Sequence, residues 1–268
     1  MNPYKIEPPF CVSFSGGRTS AFMLRMILDA HGGSIPDGGV VCFQNTGMEH
    51  PKTLDFIDRV AREWGVAVAW VEYRAEKPNL AVVDYETASR DGEPFAALIK
   101  KRNYLPNPVA RFCTTDLKIK VMHRYMESLG HADYTSAVGL RADEPRRVHR
   151  IRDNPLNADT VCPVHAAGHT REDVLAFWKS QPFDLELPND DPAFGNCTLC
   201  FLKGRERTDR VIQNDPRLAE WWIRMEDMIG GTFRSDRPSY RQMLTQVTVQ
   251  GRLFDGPEED TIPCFCTE

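Results

Sequence analysis

The sequence predicts an α/β protein, with a Rossmann-like parallel sheet covered by helices on both faces and a helical C-terminal extension. Short apolar runs alternate with amphipathic runs between residues 10 and 73. The apolar runs have the length of buried strands, and the runs between them repeat apolar residues at helical spacing. Because parallel strands need crossover connections, this βαβαβ alternation indicates a parallel sheet.

The individual elements follow from the same patterns. Strands are predicted at 10–14, 39–43, 66–73 and 134–140, and helices at 18–31, 53–65, 93–102, 116–130 and 170–181. Gly65 and Gly130 stand where glycine commonly ends a helix, and Thr170-x-x-Asp173 is an N-cap signal. The stretch 74–91 is interpreted as a loop and 103–113 as extended. We expect an α/β core over 1–165, with a helical region over 166–268 packed on it.

Composition sets outer limits on function. The chain has 268 residues, 41% of them hydrophobic, and a net charge of −5, as expected for a globular protein without a bulk positive field. No apolar run is long enough to span a bilayer, and no charged-then-apolar leader opens the chain. We therefore expect a cytoplasmic protein with no membrane partner.

The first strand passes into the first helix through a short polar loop. Its residues are small, hydroxylated or basic: Ser15, Gly16, Gly17, Arg18, Thr19 and Ser20. Glycines allow close approach of the backbone to an anion, and the N–H groups and dipole of the helix start favour negative charge. The loop is shorter than a Walker motif. A plain strand-to-helix turn is the alternative interpretation.

A basic run follows the strand at 134–140. It contains five arginines and a histidine: Arg141, Arg146, Arg147, Arg150, Arg152 and His149. The planar guanidinium suits phosphate or sulfate oxygens. Asp143 and Glu144 are candidates either for Mg²⁺ or for pairing with these arginines, and pairing is the favoured interpretation.

The cysteines form a second group of interest. There are eight, at positions 11, 42, 113, 162, 197, 200, 264 and 266. In a reducing compartment, closely spaced cysteines bind metal or do redox work more often than they form disulfides. Cys197-x-x-Cys200 can present two thiolates to one metal. Lys118 and Lys120 follow Cys113 but cannot share one helix face, so one of them at most reaches that thiol. Cys11 and Cys42 are expected in the core.

Several blocks together resemble one family. They are SGGRTS (15–20), FQNTGMEHPKTLDFI (43–57), RFCTTDLKIK (111–120), VGLRADEPRR (138–147) and GNCTLCFLKG (195–204). In this order they resemble the PP-loop nucleotide hydrolases, and more narrowly the phosphoadenosine-phosphosulfate (PAPS) reductase-like branch that includes phage and DNA-phosphorothioation versions. The resemblance implies an adenine nucleotide, ATP or PAPS/APS, across the carboxyl edge of the sheet.

The resemblance also implies roles for individual residues. Besides the loop at 15–20, the matching blocks imply nucleotide contacts by Thr46, Gly139 and Arg146, and catalytic roles for Arg141 and Lys118. Arg18 stands where lysine is frequent and Thr19 where ATP-using members carry an acidic residue. The cysteine-bearing tail of true PAPS reductases is absent from the sequence.

Some members of this family hold a four-iron, four-sulfur (4Fe–4S) cluster. By resemblance, the expected ligands are Cys113, Cys197, Cys200 and one of Cys264 and Cys266. A four-thiolate zinc site is the alternative, because ligand identity alone does not separate zinc from an iron–sulfur cluster. Adventitious thiols are the plain alternative to both.

These expectations combine into one predicted function, an adenine-nucleotide-dependent enzyme of sulfur chemistry that transfers sulfur to an acceptor or modifies it. Reduction of PAPS or APS to sulfite is one alternative. A non-catalytic nucleotide-binding module with a structural metal site is another, and a zinc-containing hydrolase of a small adenine nucleotide is a third. Candidate partners besides the nucleotide are a nucleic acid, a sulfur- or electron-donor protein and a second copy of the chain.

Overall fold

A six-stranded sheet forms the centre of the protein. The structure is a computed structural model and describes residues 2–152 and 159–249. The strands are β1 (Phe10–Ser13), β2 (Gly39–Asn45), β3 (Val68–Glu72), β4 (Ala81–Val83), β5 (Thr135–Val138) and β6 (Thr160–Val161). Their order is β4-β3-β2-β1-β5-β6, and every pairing is parallel except the antiparallel β3–β4 edge. The predicted α/β class with a mostly parallel sheet is confirmed.

Helices connect the strands and make up the C-terminal part of the described chain. They are α1 (Arg18–Ala30), α2 (Pro51–Glu63), α3 (Glu93–Arg102), α4 (Phe112–Thr114), α5 (Lys120–Ser128), α6 (Pro145–Arg152), α7 (Pro163–Ala166), α8 (Arg171–Lys179), α9 (Arg205–Asn214), α10 (Ala219–Ile229) and α11 (Tyr240–Val249). A π-helical turn, Thr115–Ile119, joins α4 to α5. None of the described helices has the length and apolar character needed to cross a membrane.

Strand register brings the candidate site together. In the parallel pairings, Ser13 at the end of β1 is opposite Cys42 of β2 on one side and Val138 of β5 on the other. The carboxyl ends of these three strands therefore share one edge of the sheet. The loops that leave β1, β2 and β5 begin at that edge, where open α/β sheets bind ligands.

The hydrophobic core continues from the sheet into the C-terminal helices. One cluster of buried side chains includes strand residues and residues of α8, α9, α10 and α11. Trp178 of α8 is 2% exposed and packs edge-on against Phe56 of α2, with Phe183 beside it. Cys11 and Cys42 have no exposed surface and lie in this core, as predicted.

Two local expectations need correction. The stretch 74–91 contains β4, an edge strand of three residues whose central Val82 is 61% exposed, so it has neither the length nor the burial of a core strand. The stretch 103–113 ends in the first residues of α4, ahead of the π-helical turn. The basic run after β5 is largely helical, as α6. The Thr170–Asp173 cap is confirmed as a reciprocal capping box at the start of α8.

Candidate functional site

The loop between β1 and α1 is shaped by two glycines. Gly16 has φ +77°, and a Cβ built on it would lie 2.6 Å from Thr53 Cγ2 and 2.7 Å from Ile57 Cδ1. Only glycine fits there, because α2 packs directly on the loop. Gly17 is the N-cap of α1, and among the described residues no side chain caps this helix. The first N–H groups of α1 are thus placed to receive an anion.

The hydroxyl groups of the loop have different surroundings. Ser15 Oγ lies 3.0 Å from Ser20 Oγ, and Ser20 Oγ donates to Gly17 O at 2.9 Å. Ser20 is fully buried, so its hydroxyl orders the loop from within. Thr19 is 2% exposed, and its Oγ1 accepts a hydrogen bond from Arg141 Nη1 at 3.3 Å.

The segment after β5 reaches the same loop. A Cβ on Gly139 would lie 3.0 Å from Ser20 Cα and 3.2 Å from Ser20 N, so glycine permits the close approach. The Arg141 side chain is 12% exposed and bonds to Asp143 through Nε at 3.0 Å. Glu144 pairs with Arg141 and Arg147, so the favoured pairing of these carboxylates with arginines is confirmed.

Arg18 has partners that local sequence does not reveal. Its guanidinium donates to both carboxylate oxygens of Asp184, at 2.8 and 2.9 Å, and to Asp190 at 2.6 Å. It also donates to Leu185 O at 3.0 Å, and its own carbonyl accepts from Trp178 Nε1 at 2.9 Å. The predicted contact of Arg18 with phosphate stays a prediction, in competition with two carboxylates.

A pocket of about 170 Å³ opens at this edge. Loop residues, Arg141, apolar side chains of α8 and the segment before Cys197 line it: Gly16, Gly17, Arg18, Thr19, Thr53, Arg141, Arg171, Val174, Leu175, Leu185, Leu187, Asp190, Pro192, Gly195 and Asn196. The pocket has a polar wall at the start of α1 and an apolar wall formed by α8 and residues 185–192. Arg146 is exposed on α6.

The loop after β2 contacts the cysteine segment. Thr46 Oγ1 donates to Glu49 at 2.9 Å and lies 3.5 Å from Cys197 Sγ, while Cys197 Sγ lies 3.9 Å from Glu49 Oε1. Thr198 N donates to Met48 O at 2.7 Å, which fixes one loop on the other. Burial raises the pKa of Glu49, and Lys118 and the bonds from Thr46 act against that rise. Lys118 is therefore close enough to this loop to act on Glu49, whereas Lys120 donates to Asp116 at 2.8 Å.

A tight turn carries Cys197 and Cys200. Cys200 N donates to Cys197 O at 3.1 Å, and the buried Leu199 between them has φ +59°. Lys203 is 6% exposed, and its Nζ donates to three backbone carbonyls, those of Ala193, Gly195 and Cys197, at 2.6, 2.7 and 3.0 Å. A buried ammonium thus holds the turn in an uncommon conformation of the kind found at functional sites.

Some of the predicted metal ligands lie within the described residues and some lie outside them. Cys113 is half-buried on α4, Cys197 is buried and Cys200 is half-buried. Within residues 2–152 and 159–249, no group of three or more His, Cys, Asp or Glu side chains could hold a metal ion. Cys264 and Cys266 lie outside the described residues. The described donors alone do not form a site, so the cluster and the zinc alternative stay predictions.

Sequence motifs predicted one side of this site and missed the other. The loop at 15–20, Thr46, Gly139 and Arg141 all come to one edge of the sheet, as the order of the motifs indicates. Local sequence does not identify Asp184, Asp190 and Lys203, because their partners are distant in sequence or are backbone carbonyls. Thr53 lies within the block 43–57, but the sequence does not distinguish it from the other residues of a predicted helix.

Comparison with known proteins places this geometry in context. The family model described as "phosphoadenosine phosphosulfate reductase domain" matches residues 9–167. The uncharacterised nin region protein of Escherichia phage lambda is 31% identical over 255 residues, 91% of this chain and 82% of that protein. An uncharacterised protein of Methanocaldococcus jannaschii is 28% identical over 226 residues, 81% of this chain and 41% of its own length.

A solved structure also aligns with the chain. The U34-tRNA thiolase from Methanococcus maripaludis with its 4Fe–4S cluster gives a TM-score of 0.43 at 14% sequence identity. The alignment covers 93% of this chain and 85% of the thiolase.

Proposed function

The chain belongs to the phosphoadenosine phosphosulfate reductase domain family, and from that premise we propose that it binds an adenine nucleotide and uses it in sulfur chemistry on an acceptor. The nucleotide's phosphate or sulfate groups lie at the β1–α1 loop. The observation that carries this proposal is the start of α1, which no described side chain caps and which faces the pocket beside Arg141.

The electrostatics of the loop favour an anion. The N-terminal end of a helix carries a partial positive charge and unpaired N–H donors, which together bind phosphate or sulfate. Arg141 adds a planar guanidinium that already reaches Thr19 at 3.3 Å. Its charge is shared with Asp143 and Glu144, so an incoming phosphate competes with carboxylates for the same donors. Asp143 and Glu144 are also candidate ligands of a Mg²⁺ ion bound together with the nucleotide.

The cysteine turn directly follows two residues of the pocket wall. Gly195 and Asn196 line the pocket, and Cys197 follows directly in the chain. We propose that Cys113, Cys197, Cys200 and one of Cys264 and Cys266 hold a 4Fe–4S cluster, with zinc as the alternative. Such a cluster, when bound, supplies a site for sulfide or for electrons. Lys118 adds positive charge beside the Thr46–Glu49 loop, which contacts Cys197.

Sulfur transfer has a definite stoichiometry. An acceptor oxygen attacks the α-phosphorus of ATP and pyrophosphate leaves; hydrosulfide then attacks the acceptor carbon, AMP leaves with that oxygen, and the sulfur takes its place. The chain's own residues bind the phosphate chain at the loop and orient it through Arg141. The alternative, reduction of PAPS or APS, consumes two electrons from a thiol donor and releases sulfite with the nucleotide. The two routes therefore differ in their products.

Product analysis tests the proposal. Full-length protein purified without oxygen is incubated with ATP, PAPS or APS, and AMP, pyrophosphate and sulfite are measured with and without a sulfide donor and a nucleic-acid acceptor. We expect Arg141→Met to lower the rate at limiting nucleotide by at least about tenfold, since it removes a charge-assisted contact to an oxyanion. Arg62→Met, at a 72% exposed position of α2, is the matched control.

Each outcome separates the candidates. Pyrophosphate that forms only with the acceptor, and AMP that also requires the sulfide donor, support sulfur transfer. The same products without acceptor or sulfide identify a hydrolase, and sulfite from PAPS or APS identifies the reductase alternative. Nucleotide binding with no product from any of the three compounds indicates a non-catalytic binding module. Equal rates for wild type and Arg141→Met would remove Arg141 from the proposed site.

A further inference from the structure

A buried hydroxyl in the pocket wall stands out from the rest of α2. Thr53 lies in the first turn of this helix and is 2% exposed. Its Oγ1 is buried and has no hydrogen-bond partner among the described residues. Buried hydroxyl groups in folded proteins nearly always have a partner, so a lone one needs an explanation.

Thr53 does not make the hydrogen bond to a preceding backbone carbonyl that a threonine hydroxyl in a helix commonly makes. Threonine hydroxyls in helices commonly donate to the carbonyl three or four residues earlier. Thr208 of this protein does so, donating to Gly204 O at 3.2 Å. Thr53 sends its backbone N–H to His50 O at 2.8 Å, while its hydroxyl stays unpaired within the described chain. Its methyl carbon packs against the Gly16 position of the loop.

The position of Thr53 supplies the missing partner. It lines the pocket together with Gly16, Gly17, Thr19 and Arg141, the residues at the start of α1. Because Thr53 is 2% exposed and lines the pocket, a hydrogen bond from its hydroxyl to a ligand there would be shielded from water, where it is stronger than at an open surface. The same pocket is lined by the start of α1, with its backbone N–H donors, and by the Arg141 guanidinium, so the complementary ligand is an anion.

We propose that Thr53 is a ligand-binding residue whose hydroxyl donates to an oxygen of the tetrahedral phosphate or sulfate group at the β1–α1 loop. This assignment rests on the proposed function, because it names one contact of the same nucleotide. It gives α2 a direct part in binding, besides its packing on Gly16. It also accounts for threonine at a packed position where valine has the same shape.

The test uses that similarity of shape. Thr53→Val keeps the methyl packing and removes only the hydroxyl, and Thr53→Ser keeps the hydroxyl. We expect Thr53→Val to bind ATP or PAPS about tenfold more weakly than wild type by calorimetry, and Thr53→Ser to bind within about threefold of wild type. The thermal midpoint of the ligand-free Thr53→Val protein should equal or exceed that of wild type, since no native bond is lost.

A matched control and the contrary results complete the test. Ser136 on β5 also has a buried hydroxyl without a described partner, but it does not line the pocket, so Ser136→Ala should bind nucleotide as wild type does. If wild type binds and Thr53→Val binds equally well, Thr53 is only a packing residue and the proposed function stands. If wild type binds neither ATP nor PAPS, the proposed function and this assignment fail together. A loss with ATP alone or PAPS alone identifies which oxyanion is recognised.

Discussion

At position 18, two roles compete for one guanidinium. Arg18 lines the pocket, yet its donors are engaged by Asp184, Asp190 and the carbonyl of Leu185. Because the negative charges of Asp184 and Asp190 offset its positive charge, Arg18 contributes little net positive potential to the pocket. Its bonds instead tie the segment 184–190 to the loop that begins α1. Arg141, which reaches Thr19, is the better placed cation for a phosphate.

Removing the Arg18–Asp184 ion pair should lower the stability of the fold more than it weakens nucleotide binding. We expect Arg18→Met and Asp184→Asn each to lower the free energy of unfolding by about 1–2 kcal/mol, since the pair is bidentate and partly buried. The double variant should lose less than the sum of the two, because both changes remove the same interaction. Urea denaturation of the four proteins measures the coupling.

Arg18→Lys is the informative control, because lysine keeps the charge but loses the fork that fits a carboxylate. It should behave more like Arg18→Met than like wild type. Additive losses in the double-variant cycle would contradict the tie.

The sequence predicts those site residues that stand next to a recognisable motif or directly after a predicted strand. The loop at 15–20 and Arg141 were predicted because each directly follows a strand, and strand ends meet at one edge of a parallel sheet. Asp184 was not, since 166 residues separate it from Arg18 and surface carboxylates are common in any sequence. Thr53 was missed because an unpaired hydroxyl is visible only when every neighbour is known.

At the scale of elements, a buried carboxylate organises the connection between α10 and α11. Glu226 of α10 is 7% exposed and accepts hydrogen bonds from Phe233 N at 3.3 Å and Tyr240 N at 2.9 Å. Tyr240 in turn donates to Leu199 O, in the turn that carries the cysteines. The geometry of that turn therefore depends on a cap some thirty residues further along the chain.

This cap predicts a pH dependence. Burial raises the pKa of Glu226, against the effect of its backbone bonds. A carboxyl group whose pKa is raised on folding contributes stability that is present below its unfolded pKa and is lost as pH rises through the folded value. Glu226→Gln does not titrate and keeps one acceptor. The advantage of wild type over Glu226→Gln in free energy of unfolding should therefore shrink as pH rises above about 4, the usual pKa of an unfolded glutamate.

Denaturation at several pH values checks this expectation. Glu220→Gln, at an exposed position of the same helix, is the control and should show little change relative to wild type. An advantage of wild type that grows as pH rises would mean that the cap is needed as a carboxylate.

Elements with strong periodicity were predictable and short ones were not. The strands β1, β2, β3 and β5 and the helices α1, α2 and α3 were anticipated within a few residues, because each has a continuous buried face. The strands β4 and β6 have three and two residues, too few for a pattern, and their positions follow from pairing with β3 and β5. The π-helical turn after Cys113 likewise has no local signature.

At the scale of the whole molecule, the cysteine turn links the nucleotide edge to the C-terminal helices. Its backbone meets the Thr46–Glu49 loop on one side, and Arg237 donates to Lys203 O at 2.7 Å on the other. The hydrophobic core continues across this junction. A group bound at these cysteines would therefore join parts of the chain that are separated by more than a hundred residues, including Cys113 and the C-terminal pair.

Metal analysis of the whole chain tests that arrangement. Protein purified without oxygen should contain about four irons and four acid-labile sulfides per chain, since four thiolates are the usual ligand set of a 4Fe–4S cluster. Cys197→Ser and Cys200→Ser should each lose them, whereas Cys42→Ala, buried in β2, should retain them. Far-ultraviolet circular dichroism separates loss of the cluster from loss of the fold.

Cys264→Ser and Cys266→Ser, compared side by side, should differ, because only one of the two is expected as the fourth ligand. One zinc in place of iron would identify the alternative four-thiolate site. Iron that survives Cys197→Ser would remove the cysteine turn from the ligand set and leave its strained backbone to serve the nucleotide pocket alone.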